Sequence, residues 1–251
     1  HFITVFPLLE EKRIQGCFFP PARAILSQEV LDVHKIHFIL ATTSYKIKNL
    51  IQDIYACLDK YREQFQLEKN SYYYTKLAIK DQYDTADVIF IKRLLQVELE
   101  DCVRRLITNE LFEKYVSCDE KSFSQELYMD VEQLKCMARN GMYIGGHGSK
   151  HQFLNEISVP ELESEINETI ELLNRVNTPT VDWVMCYPYG VYNNTVIEIL
   201  KKNSCALAFT TKVDIATISK ENAYTLERLD TNEFPKLSNS SPSAWTKKIF
   251  R

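Results

Sequence analysis

Apolar residues recur at every third or fourth position through much of the first half of the chain. Three such series span residues 47–58, 88–95 and 103–111. This spacing is typical of amphipathic helices. No glycine and no proline occurs between residues 22 and 140, so nothing in this stretch strongly interrupts a helix. The pattern therefore predicts a long helical block.

Outside this block, short apolar runs alternate with amphipathic segments. The runs that resemble buried strands are 17–19, 142–144, 181–187 and 206–210, and three of them end at glycine or proline. The helices predicted among the later strands are 131–139, 158–176 and 193–202. Strand and helix in alternation indicate an α/β fold with a mainly parallel sheet, whose sites lie at the carboxyl ends of the strands.

Composition and charge narrow the choice of partners and compartment. The 251 residues carry a net charge of −4, which gives no electrostatic footprint for nucleic acid or an anionic membrane surface. No apolar run is long enough to predict a membrane span. The seven cysteines are an odd number and form no Cys-x-x-Cys motif, so we expect reduced thiols and a cytoplasmic location. A secreted or periplasmic location is the alternative.

Two histidines follow the predicted strand at 142–144 within a cluster of glycines. His147 and His151 are four residues apart, so in a helical turn both imidazoles would face the same side and reach one zinc-like ion. A pair at this spacing also arises by chance in a chain with five histidines. Its position after a strand favours a functional role.

A second candidate follows the predicted strand at 181–187. Tyr187, Pro188, Tyr189 and Gly190 form a rigid turn that can direct a backbone N–H into a pocket, as an oxyanion hole requires. An ordinary aromatic turn is the alternative interpretation.

The order and spacing of these motifs resemble the NodB-type polysaccharide deacetylases of carbohydrate esterase family 4. The resemblance rests on Ile144 to His151, on the serine-capped helix with Glu161 and Glu165, and on Tyr187 to Gly190. Phe6 to Lys12 and Gly16 to Pro20 also look like the opening helix and second strand of that family. It covers about 1–21 and 130–232, outside the helical block.

The resemblance implies a distorted, incomplete (β/α) barrel, built as one domain over residues 1–251 with a helical insertion at about 25–130. It implies one divalent metal, zinc in the first place and cobalt, manganese or nickel as alternatives, with His147 and His151 as ligands. The implied reaction removes acetyl groups from an N-acetylated amino sugar or polysaccharide. The backbone N–H of Tyr189 would stabilise the oxyanion, and Tyr187, Pro188 and Arg228 would contact the carbohydrate.

The sequence also departs from the family pattern. The family's paired aspartates, a base and a metal ligand, belong just before His1, Gly148 replaces a serine or threonine, and no arginine shortly precedes Pro188. No histidine follows His151 to act as the general acid. Arg228 or Asp230 could enter the pocket, although a surface ion pair is the alternative for both.

Three further interpretations stay open at this point. The missing residues also suit a catalytically silent relative that binds glycans or supports an assembly. The helical block could form a homo-oligomer or dock a partner. For His34 and His37, packing or solvent-facing roles are favoured over metal binding, because lone histidine pairs on apolar segments are usually structural.

Overall fold

The structure is a computed structural model that describes residues 1–80, 84–237 and 239–249. It is a mixed α/β arrangement in which helices predominate. The α-helices are α1 Val5–Lys12, α2 Ala22–Leu26, α3 Asp32–Thr43, α4 Ile47–Phe65, α5 Asn70–Leu77, α6 Ala86–Arg93, α7 Asp101–Tyr115, α8 Glu120–Leu127, α9 Val131–Arg139, α10 Val159–Val176, α11 Asn194–Lys202 and α12 Ala244–Ile249. The strands are β1 Cys17–Phe18, β2 Tyr143–Ile144, β3 Trp183–Cys186 and β4 Cys205–Phe209.

The chain divides into two compact units. One contains residues 1–27 and 128–251, and the other is the helical unit, residues 28–127. Each has its own cluster of buried apolar side chains. The prediction that residues 25–130, approximately, are an insertion within a single deacetylase domain stays a prediction. The packing shows two compact units but does not show that one was inserted into the other.

All observed strand pairing is parallel and follows the order of the sequence. β1 pairs with β2, with Cys17 opposite Tyr143, and β3 pairs with β4, with Cys186 opposite Phe209. An isolated parallel bridge joins Gly146 to Met185, and another joins Phe209 to Leu226. These short strands confirm the α/β class, but a (β/α) barrel is not confirmed.

A close approach of two chain segments explains one of the clustered glycines. A Cβ atom at Gly145 would lie 2.5 Å from Cε1 of Phe19 and 2.7 Å from the carbonyl oxygen of Val184. Real Cβ atoms do not tolerate such contacts, so a side chain here would push the neighbouring strands apart.

The helical unit has an apolar core that also encloses the buried side chain of Lys35. Lys35 is 4% exposed, and its Nζ lies 2.7 Å from Oδ1 of Asn109 and 2.8 Å from Oε1 of Glu120. The same Glu120 oxygen accepts the N–H of Val30 at 2.8 Å. These partners satisfy an ammonium group that burial would otherwise destabilise.

Most predicted elements appear within one or two residues of their expected bounds. The predicted helices at 131–139 and 158–176 are α9 and α10, and Asn193 caps α11 by accepting the N–H of Val196. The helix predicted over 88–95 differs, because α6 passes into a π-helical turn, Leu94–Glu98. Local periodicity does not distinguish that wider turn from a regular helix.

Two observations bear on the environment of the protein. Among the described residues, none of the helices combines the length and apolar character needed to cross a bilayer. All seven cysteines are free thiols, and Cys186 and Cys205 are buried. The predicted compartment stays a prediction.

Candidate active site

The loop between β2 and α10 brings His147 and His151 together. Their ring centroids lie 4.9 Å apart in an edge-to-face arrangement. The rings meet without the helical turn considered above: this loop contains no helix, and φ is +69° at Gly148 and +56° at His151. Left-handed backbone at these two positions turns the chain back on itself and so places the rings side by side.

A backbone carbonyl at the end of β3 orients the His147 ring. Nδ1 of His147 lies 2.6 Å from the carbonyl oxygen of Cys186. Because a carbonyl can only accept, Nδ1 carries the proton and Nε2 holds the lone pair in the neutral ring. Burial lowers the pKa of His147, the hydrogen bond to Cys186 opposes this, and the positive charge of Arg228 lowers it further. The neutral ring, the form that binds metals, is therefore favoured.

The three residues between the histidines are held by α2 and α10. The carbonyl oxygens of Gly148 and Ser149 accept the N–H groups of Ala22 and Arg23, at 3.0 and 3.2 Å. The N–H groups of Ser149 and Lys150 donate to Oε2 of Glu165, at 2.7 and 3.0 Å. The first N–H groups of α2, which have no acceptor within their own helix, and a carboxylate on α10 thus fix the loop from both sides.

The turn after β3 also contains left-handed backbone. Pro188–Gly190 form a short 3₁₀ turn in which Tyr189 has φ +56° and ψ +3°, and Gly190 has φ +73°. A Cβ at Gly190 would lie 2.6 Å from the backbone nitrogen of Thr211. Glycine is thus required there by both conformation and space.

Aromatic stacking connects this turn to the histidine loop. The ring of Tyr189 lies parallel to that of Phe153, with centroids 4.1 Å apart and planes 6° apart. The edge-to-face partner of Tyr189 is His151, at 4.6 Å. The sequence reasoning missed Phe153, and its only signal was an aromatic two positions after His151.

The other predicted contact residues occupy different environments. Tyr187 is 1% exposed and its hydroxyl donates to the carbonyl oxygen of Tyr224 at 3.0 Å, while Pro188 is also buried. Arg228 is exposed and its Nε donates to the carbonyl oxygen of Thr210 at 2.9 Å. Their roles in binding carbohydrate stay predictions.

The donors present suit part of a metal site. Two histidines lie side by side, and the only ring nitrogen of His147 that carries a lone pair is Nε2. Within residues 1–80, 84–237 and 239–249, no three His, Cys, Asp or Glu side chains form a group that could hold a metal ion. The pair thus fits two positions of a zinc-like site, which takes at least one further ligand.

Asp230, which the sequence offered with Arg228 as a possible pocket residue, instead caps a neighbouring turn. Its Oδ1 accepts the N–H of Asn232 at 2.8 Å and so caps the 3₁₀ turn Thr231–Glu233. It makes no ion pair shorter than 4.0 Å with Arg228 among the described residues.

Comparison with known proteins finds that this region is similar to polysaccharide deacetylases. A family model described as polysaccharide deacetylase matches residues 107–207, which include both histidines and the turn at Tyr189. The putative polysaccharide deacetylase YxkH of Bacillus subtilis (strain 168) is 26% identical over 130 residues, 51% of this chain and 45% of YxkH. Over this region the chain is similar to polysaccharide deacetylases. The match to the family model begins at residue 107, inside α7. The resemblance described from the sequence began later, at about residue 130.

Two solved deacetylase structures are also similar to part of this chain. The Streptococcus pyogenes deacetylase PplD in complex with acetate has a TM-score of 0.39 and 22% identity, over 49% of this chain and 57% of PplD. IcaB from Ammonifex degensii has a TM-score of 0.34 and 20% identity, over 40% of this chain and 46% of IcaB. The chain spans about half the length of these relatives.

Proposed function

We propose that the protein removes acetyl groups from an N-acetylated amino sugar or from a polysaccharide that contains one. The observation that carries the proposal is the contact between His147, His151 and the Tyr189 turn at the carboxyl ends of β2 and β3. The similarity of residues 107–207 to polysaccharide deacetylases supports the same reaction.

The proposal assigns one divalent metal ion to His147 and His151. The remaining ligand would be an aspartate of the family's pair, and zinc, cobalt, manganese or nickel would suit the donor set. When bound, the metal would polarise the amide carbonyl and lower the pKa of a water molecule. The hydrogen bond from His147 to the Cys186 carbonyl would hold the ring in the tautomer that binds it.

The residues of the turn would act on the substrate. The backbone N–H of Tyr189 would donate to the oxyanion that develops on the acetyl carbonyl. Tyr187 and Pro188 would shape the wall beside it. Arg228 is close enough to lower the pKa of His147, so its exposed guanidinium would also reach a sugar hydroxyl group near the metal.

The proposal extends to the architecture. Successive strands are parallel neighbours, and the bridge from Gly146 to Met185 connects the two pairs. This order supports an incomplete (β/α) barrel, which keeps sequential strands adjacent. The helical unit would then be an insertion, and its surface would mediate any homo-oligomer.

A catalytically silent, glycan-binding relative is the second candidate. It is favoured by the absence of a three-ligand group among the described residues and by the lack of any histidine after His151. Acetate release from N-acetylglucosamine oligomers or nucleotide sugars by the metal-loaded natural protein would exclude it.

Alanine at both His147 and His151 tests the metal assignment. We expect zinc uptake to fall from one equivalent to none, because both proposed histidine ligands are lost, with acetate release lost as well. The matched control is alanine at His34 and His37, a pair on α3 whose ring centroids are 6.4 Å apart; it should leave zinc uptake unchanged. A His147/His151 variant that keeps stoichiometric zinc would show that the assignment is wrong.

A further inference from the structure

A single carboxylate oxygen holds the centre of the histidine loop. Oε2 of Glu165 accepts the N–H groups of both Ser149 and Lys150. These two peptide groups lie between the left-handed residues Gly148 and His151. A rotation at either peptide group would change the separation of the two histidine rings.

The carboxyl group lies in an environment that is unfavourable for a charge. Glu165 is 1% exposed, and its Oε1 is buried without a hydrogen bond from any residue that the structure describes. Burial raises its pKa, while the hydrogen bonds from Lys150 and Ser149 oppose the shift. An apolar side chain at this position would avoid the cost of burying a carboxyl group. The carboxyl group is therefore best explained by the two loop N–H groups, which need an acceptor.

The carbonyl oxygens of the loop and the Ser149 hydroxyl have partners other than Glu165. α2 donates to the carbonyl oxygens of Gly148 and Ser149, and the Ser149 hydroxyl donates to a carboxylate oxygen of Glu168. Ser149 is itself fully buried. Glu165 is therefore the only described group on α10 that fixes the N–H side.

We propose that Glu165 is a positioning residue that sets the separation of His147 and His151 before any metal binds. It acts through the backbone of Ser149 and Lys150 and does not touch substrate. The inference rests on the proposed function, because the shared metal is what makes that separation matter.

Three substitutions at Glu165 separate hydrogen bonding from charge. Glu165→Gln keeps an oxygen that can accept both N–H groups. Glu165→Asp keeps the charge but withdraws the oxygen by one methylene group. Glu165→Ala removes the acceptor. The control is Glu171→Gln, which changes an exposed carboxylate on the same helix that pairs with Arg175 at 2.6 Å.

Two measurements are made on each variant. Amide hydrogen exchange at Ser149 and Lys150 reports the loop without metal. Cobalt affinity, together with the visible absorption spectrum of bound cobalt, reports how the histidines are arranged. We expect Glu165→Ala and Glu165→Asp to exchange these two amides faster and to bind cobalt about 10–100-fold more weakly with an altered spectrum. Glu165→Gln and the control should stay close to wild type.

The outcomes distinguish the inference from the function on which it rests. Unchanged exchange and an unchanged cobalt spectrum in Glu165→Ala would overturn the inference; if that variant does not fold, Glu165→Asp decides in the same way. If the wild-type protein binds none of zinc, cobalt, manganese and nickel, the proposed metal function fails. In that case, faster exchange at Ser149 and Lys150 in Glu165→Ala would still show that Glu165 holds the loop. Unchanged exchange in this variant would overturn the positioning role of Glu165 as well.

Discussion

At the scale of single residues, the candidate site depends on unusual backbone conformations. His151 and Tyr189 are non-glycine residues with positive φ, a conformation that costs about 1–2 kcal/mol for most residues. Their rings contact each other, and Phe153 stacks on Tyr189. Aromatic pairs contribute about 0.5–1.5 kcal/mol each beyond the burial of their area, so the stack offsets much of this cost.

Tyr187 gives a prediction about stability at this scale. Tyr187→Phe should lower the free energy of unfolding by about 1–3 kcal/mol, because the partly buried hydrogen bond from its hydroxyl to the carbonyl of Tyr224 is lost. Urea denaturation measures the change. Tyr192→Phe is the control: this ring stacks on Tyr187 at 5.2 Å but is more exposed, so we expect a change within about 0.5 kcal/mol. Equal losses in the two variants would contradict this explanation.

At the scale of elements, capping decides where the helices around the site begin. Asp130 accepts the N–H of Gln133 at 2.7 Å, and the Gln133 side chain accepts the N–H of Asp130 at 3.2 Å. This capping box starts α9, which leads through Gly141 directly into β2. The start of α9 thus helps to fix the strand that carries the histidine loop.

Asp130→Ala tests the contribution of this cap. The free energy of unfolding should fall by about 0.5–2 kcal/mol, because the N–H of Gln133 loses its acceptor. Glu132→Gln, an exposed change in the same turn, should alter it by no more than about 0.5 kcal/mol. Thermal or urea unfolding measures both variants. A loss in Glu132→Gln as large as that in Asp130→Ala would mean that charge near the helix start matters more than the cap.

At the scale of the whole molecule, two separate apolar cores stabilise the chain. The core of the helical unit includes Phe90, which is fully buried and contacts Tyr55 and Tyr74 edge-on or at a tilt. The other core includes Leu173 of α10 and Trp183 of β3, both fully buried. Separate cores allow separate local unfolding.

Truncation in each core tests this independence. Phe90→Ala should cost about 3–5 kcal/mol and Leu173→Ala about 2–5 kcal/mol. Hydrogen exchange measured by mass spectrometry should rise mainly within residues 28–127 for Phe90→Ala. For Leu173→Ala it should rise mainly in residues 1–27 and 128–251. If both variants accelerate exchange equally along the chain, the two units unfold as one.

The sequence by itself determined the types and bounds of most elements. Helix periodicity, caps such as Asp130 and Asn193, and turns at Gly145 and Pro188 are local signals, and they depend on neighbours within four residues. The same local signals identified His147 and His151 as a pair and Tyr189 as part of a special turn. They did not show that the pair meets through left-handed backbone, because the conformation of His151 has no signature in its own residue type.

Only the tertiary structure decided which distant groups meet at the site. Glu165, Phe153 and the Cys186 carbonyl approach the histidine loop through packing of α10, the loop itself and β3, and no local pattern records such contacts. The division into two cores is of the same kind, because it depends on which helical faces bury each other. Periodicity shows that a face is apolar, whereas its partner is set by the contacts of the whole folded chain.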